Sequence, residues 1–144
     1  MLALALMNAC SGGGDSPGPT QPPSSDSVSL SGTWTGSATD SSGGGPMSWQ
    51  LTQANTSFSG TVTMTDTATG INGRGSVSGT VSGSSIRFSI AVPAGGFDSP
   101  FASCTATVSG DGQFASSSSL TGTYTGSNSC GGSIGSGSLT LSKQ

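Results

Sequence analysis

"SLSGTWTG" occupies Ser29 to Gly36, and "SLTGTYTG" occupies Ser119 to Gly126. Six of the eight positions are identical, and the rest exchange Ser for Thr and Trp for Tyr. Shorter echoes follow the same grammar: "FSGTVT" from Phe58 to Thr63 and "VSGTVS" from Val77 to Ser82. In each, apolar residues and Gly alternate with hydroxyls at period two, the signature of a half-buried β-strand. Leu30, Gly32, Trp34 and Gly36 fall on one face, as do Leu120, Gly122, Tyr124 and Gly126. The opposite face holds Thr33, Thr35, Thr123 and Thr125, where a branched, hydroxyl-bearing side chain suits a wet pleated surface. An inward Gly inside a strand weakens it unless the sheet must bend there or a large neighbour must cross it. Gly32, Gly60, Gly79 and Gly122 are therefore expected to kink four strands of one curled sheet.

Working outward, the same phase recurs. "MSWQLTQ" puts Met47, Trp49 and Leu51 inward, and "SIRFSIAV" puts Ile86, Phe88, Ile90 and Val92 inward with Arg87 outside. "CTATV" aligns Cys104, Ala106 and Val108, and "SLTLSK" ends the pattern with Leu139 and Leu141. Gly43-Gly44-Gly45-Pro46, Asn72-Gly73, Gly83-Ser84, Pro93-Ala94-Gly95-Gly96, Asp111-Gly112 and Gly131-Gly132 read as turns. The expectation is an all-β domain over 29–144, an antiparallel up-and-down barrel of about eight strands. A β-sandwich is the alternative closure. A barrel suits a chain so poor in edge charges, because closure removes the edges.

Charged residues make up 6% of the chain, against about 25% in an average protein. There is no His and no Glu, and the net charge is −3. Three scattered bases give no footprint for nucleic acid. The outward hydroxyls stand where a membrane-spanning barrel would carry an apolar band.

The chain starts "MLALALMNACSGGGDSPGPTQPPSSD". An apolar run that stops at Ala9-Cys10 resembles the end of a bacterial lipoprotein signal peptide. The resemblance implies a signal remnant over 1–9, cleavage before Cys10, and attachment there of a diacylglycerol and fatty acyl chains such as palmitate. It also implies a cell-envelope location, on the periplasmic face of the outer membrane or at the cell surface, with the membrane as partner through the anchor. Two departures are a missing basic leader and a short apolar run. Residues 10–28, rich in Gly, Ser and Pro, read as a flexible to semi-extended tether. The chain has three Cys, so lipidation of Cys10 leaves Cys104 and Cys130 as an even pair, expected to form a disulfide in an oxidising compartment.

Gly32-Thr33-Trp34 on a first strand, followed by about eight meandering strands, resembles the lipocalin and avidin group of calycin-type barrels. The "LTGTY" stretch has an avidin-like flavour, but Thr35-Gly36-Ser37 does not reproduce the polar contacts of that family, and its set of biotin-walling Trp residues is missing. What the resemblance implies is a non-catalytic binder of a small apolar ligand, without a cofactor. The candidate ligand residues are Trp34, Trp49 and Tyr124 inside the barrel and Phe97 and Phe101 at one mouth. The alternative is a structural or interaction lipoprotein whose barrel is filled by its own side chains, with a protein partner the sequence does not identify.

The residues offer little for catalysis. With no His or Glu, a Ser nucleophile has only Asp or the terminal Lys143 as base. Asp40, Asp98 and Asp111 are read as turn residues, and Asp66 as a strand end at the rim. No Asp-x-Asp pattern marks a metal site. Asn55-Thr56-Ser57 is a turn before it is a glycosylation sequon.

Overall fold

The computed structural model describes residues 28–144. Cys10, the signal remnant expected over 1–9, and the tether expected over 10–28, apart from Val28, lie outside the described residues. The described chain forms eight strands: β1 (Gly32–Asp40), β2 (Gly43–Ala54), β3 (Ser57–Thr65), β4 (Asn72–Ser82), β5 (Ser85–Val92), β6 (Ala106–Ser116), β7 (Ser119–Asn128) and β8 (Gly132–Lys143). Each pairs antiparallel with the next, and β8 returns to β1, so the sheet is a closed barrel in simple meander order. Closure settles the choice between barrel and sandwich in favour of the barrel.

The period-two reading holds through the core. Met47, Trp49 and Leu51 are buried, as are Ile86, Phe88, Ile90 and Val92, while Arg87 is exposed. The second of the twin stretches lies within β7, the first runs through Ser29–Ser31 into β1, and both strands flank β8. Trp34 is 0% and Tyr124 8% exposed, so both rings belong to the inside. Thr123 and Thr125 lie outside as expected. Thr33 and Thr35 are half-covered instead, because the C-terminus folds over them. The Gln144 amide donates to the Thr33 carbonyl at 2.9 Å, and its side chain donates to the Thr35 hydroxyl at 2.6 Å.

Glycine stands inside these strands for a steric reason. A Cβ at Gly60 would run into the carbonyl of Gln50, and one at Gly79 into the carbonyl of Arg87 and the Phe58 ring (2.6 Å to Cζ). Gly122 is tight against the Asp111 carbonyl at 2.8 Å. Gly32 departs from the expectation: it adopts φ 122°, a conformation glycine alone tolerates well, and lies beside Lys143 rather than under a crossing strand.

Three turn readings are corrected. Gly43-Gly44-Gly45-Pro46 opens β2, with Gly45 opposite Ala38 and Pro46 opposite Ser37, and the hairpin turns at Ser41-Ser42. Asp111-Gly112 lies inside β6, and the true turn is Ser117-Ser118. Asp111 is instead half of an outer cross-strand ion pair, 3.1 Å from Arg87. Continuing β6 also delivers Phe114 to the core, where its ring centroid is 6.0 Å from that of Trp34. Asn72-Gly73 likewise begins β4 rather than forming a turn.

The two barrel ends differ. One is closed by the short β2–β3, β4–β5 and β6–β7 turns and by Leu30, fully buried beneath the first strand. Trp34 fixes that plug by donating its indole N–H to the Leu30 carbonyl at 2.8 Å. The other end carries the longer connections, Asp66–Ile71 and Pro93–Thr105.

Candidate functional site

Stagger between strands decides which residues reach the open end. Through β8, Gly36 of β1 and Leu120 of β7 both lie opposite Leu141. Their places in the two copies of the repeat differ, so the first copy is displaced toward the closed end relative to the second. Trp34 therefore seals the base, opposite Lys143, whereas Tyr124 sits high, opposite Gly137. Its ring lies directly over Gly137, where a Cβ would come within 2.8 Å of Cε1. Its hydroxyl reaches the end of β1 and donates to Asp40 at 2.8 Å.

Above this level the barrel is open. A cavity of about 320 Å³ occupies the mouth half, at the small end of the roughly 300–1,000 Å³ range of ligand sites. Its floor and walls are apolar, with Met47, Met64, Ile90, Val92 and Leu139 among them, and Tyr124 forms part of the wall. Phe97 and Phe101 come from the Pro93–Thr105 loop at the mouth. Phe97 is half-buried and bridges Gly73. Phe101 is 43% exposed, the one large apolar side chain left exposed among the described residues. Trp34 and Trp49 do not line this space. They fill the closed half, with Trp49 edge-on to Phe88 at 5.2 Å between centroids. The Trp49 indole N–H is buried without an acceptor.

The mouth loop is clasped twice. Cys104 and Cys130 form a disulfide with a Cα–Cα separation of 5.6 Å, within the usual 4.4–6.8 Å range, which ties the loop to the β7–β8 turn. On the other side Asp98 accepts from the Asn72 amide at 2.7 Å and faces Arg74 at 3.4 Å. The Asn72 hydrogen bond and the Arg74 charge hold the Asp98 carboxyl below its usual range.

Two further carboxylates line the cavity rim. Asp40 takes the Tyr124 hydroxyl and the Ser42 amide and hydroxyl. Asp66 is held below the ordinary carboxylate range, first by the Ala68 amide at 2.9 Å and then by the Thr69 hydroxyl at 2.8 Å. Burial, followed by the bond to Asp40 and its negative charge, pushes the Tyr124 phenol well above its ordinary value. Among the described residues no cluster of three or more His, Cys, Asp or Glu could hold a metal ion.

Of the five aromatics proposed from sequence, the structure brings Tyr124, Phe97 and Phe101 together at the cavity and leaves Trp34 and Trp49 in the packed base. Sequence reasoning missed Asp40 as a partner of Tyr124, since 84 residues separate them and only the barrel stagger joins them. It also missed Met47 and Met64 as cavity walls, which sit opposite one another on β2 and β3.

No family model matches the chain, and no curated protein matches it in sequence. In fold it is similar to the solved structure of EF1p2_mFAP2b bound to DFHBI, with a TM-score of 0.64 at 16% identity. The match covers 80% of this chain and 94% of that one. The likeness agrees with the architecture, a closed eight-stranded antiparallel barrel, and DFHBI is a ligand of that other protein.

Proposed function

We propose that this protein is a non-catalytic binder of a small apolar ligand, held at the bacterial cell envelope by a lipid on Cys10. The observation that carries the reading is the cavity of about 320 Å³ above a fully packed base. A barrel with a purely structural role gains stability from filling its interior, because an empty apolar space forfeits dispersion contacts. Here the filling stops at the level of Tyr124. The fold likeness to a barrel solved with a small molecule bound agrees with this use. For the anchor, the support is the apolar run ending at Ala9-Cys10 and the pairing of the other two Cys with each other.

The binding test is a titration with N-phenyl-1-naphthylamine, a neutral dye that brightens in apolar surroundings. Saturable one-to-one binding is expected, and Ala38→Phe, which places a ring in the cavity, should abolish it while leaving the melting temperature intact. Equal binding by both proteins, or none by the native one, refutes the site. The anchor is tested by intact mass of protein expressed with its native upstream leader. A lipid-modified form is expected, with Cys10→Ser released from the membrane fraction.

A further inference from the structure

The cavity's polar end offers side-chain hydrogen-bond acceptors and almost no side-chain donors. Four side-chain hydroxyls line it, and each proton is already committed inside the protein. Tyr124 and Ser42 donate to Asp40, Thr65 donates to Asn72 at 2.7 Å, and Thr69 donates to Asp66 at 2.8 Å. No Lys or Arg lines the cavity. The lining side-chain donor that remains is the Asn128 amide, whose own oxygen is taken by the Cys130 N–H at 2.8 Å. What faces a ligand is therefore the free lone pairs of these oxygens and the two carboxylates of Asp40 and Asp66. Among the described residues the one cation near the mouth, Arg74, faces Asp98 and leaves those charges uncompensated.

On the reading that the cavity binds a ligand at all, we infer that its ligand is a small hydrophobic cation, an ammonium group on a compact apolar or aromatic body. The body would pack among Met47, Met64 and Phe97, where polarizable thioethers and an aromatic ring suit a flat apolar group. The ammonium would sit at the rim between Asp40 and Asp66, supplying the donors the wall lacks. A carboxylate-headed ligand such as a fatty acid meets the reverse situation. Its charge faces two like charges, and its oxygens find one side-chain amide to donate to them. Electrostatic complementarity of this kind acts mainly on selectivity.

The test uses three probes sharing one ring system: 2-naphthylmethylamine, 2-naphthylmethanol and 2-naphthoate. Each is titrated at neutral pH and low salt by calorimetry. The amine is expected to bind about tenfold tighter than the alcohol, the scale of two half-exposed ion pairs, and the carboxylate weakest of all. In Asp40→Asn/Asp66→Asn, whose fold is checked by its melting curve, the amine-to-alcohol ratio should fall to near one. Equal affinity for all three probes overturns the cation inference and leaves the binding reading intact. Tightest binding of the carboxylate overturns it too. A preference for the amine that survives in the double variant removes the assignment to these carboxylates. Binding of none of the three overturns both the inference and the reading beneath it. Should the double variant fail to fold, the ranking of the three probes on the native protein decides alone.

Discussion

Replacing Trp34 with Ala removes the keystone of the closed end. The ring is 0% exposed, packs 6.0 Å from Phe114, and has the Lys143 ammonium 5.8 Å above it. Emptying a site of this size costs roughly 3–5 kcal/mol in lost transfer energy and residual cavity. The substitution also strips the Leu30 carbonyl of its donor in a buried place, adding about 1 kcal/mol. A loss of roughly 4–6 kcal/mol is a large share of the stability of a domain worth about 5–15 kcal/mol. Urea denaturation followed by far-ultraviolet circular dichroism reads this directly. With a slope of about 2 kcal/mol per molar, the midpoint should fall by roughly 2–3 M. Trp34→Phe keeps a ring but not the indole donor, and should lose less than half as much. Because Trp34 does not line the cavity, Trp34→Phe should still bind the dye. A midpoint shift under about 0.5 M for Trp34→Ala would refute the reasoning, since that is the behaviour of a surface side chain.

Reducing the Cys104–Cys130 disulfide, which spans 26 residues, should cost about 3.5 kcal/mol in the loop-entropy account. Calorimetry with and without reductant should then show a melting temperature lower by roughly 10–15 °C, and weaker ligand binding as the Phe97 and Phe101 loop loosens; no change on verified reduction counts against the clasp. Tyr124 is the single Tyr in the chain, so absorbance near 295 nm reports it alone. Its raised value means that little tyrosinate should form at about pH 11, where a free phenol with a pKa of about 10 is mostly ionised. The unfolded chain ionises first, so stability should be full below about pH 10 and fall above it. Gly137→Ala, which displaces the ring, should bring the titration back toward the ordinary value. Gly79→Ala should destabilise by about 1–3 kcal/mol, because its methyl meets the Arg87 carbonyl and the Phe58 ring, while Thr123→Ala on the outer face stays within about 0.5 kcal/mol in the same urea assay.

The inward and outward phases were legible because each strand states its own face. Trp49 between Met47 and Leu51, and Phe88 between Ile86 and Ile90, alternate without interruption. Turns were less legible. Asp111-Gly112 has turn chemistry, yet here glycine relieves crowding inside a curved strand, and the real turn at Ser117-Ser118 is written in the same serines that cover the outer face. That misreading hid Phe114. Depth within the barrel was not legible at all. Trp34 and Tyr124 occupy the same place in a repeated phrase, but one seals the base and the other walls the cavity. The difference is a register offset through β8, which no local pattern encodes. The rim acids are illegible for the same reason. Asp40 reads as a turn residue until the stagger brings Tyr124 to it.

The chain enters the barrel at its closed end. Leu30 plugs that end, β1 starts there, and Lys143 of the last strand clasps the incoming Ser29 carbonyl at 2.7 Å. A lipid on Cys10 would thus hold the domain by its base, within about 60 Å of the bilayer even at full extension of the intervening residues. The rim would then point into the aqueous space. Lys143 at the base and the unpaired rim acids give the axis a polarity that favours the same posture above an anionic surface. A cup mounted this way would have to turn over on its tether to take cargo from the bilayer that carries it. It would fill and empty on its far side, against dissolved molecules or a facing partner, and a shorter tether would change how far it reaches without changing which way it opens.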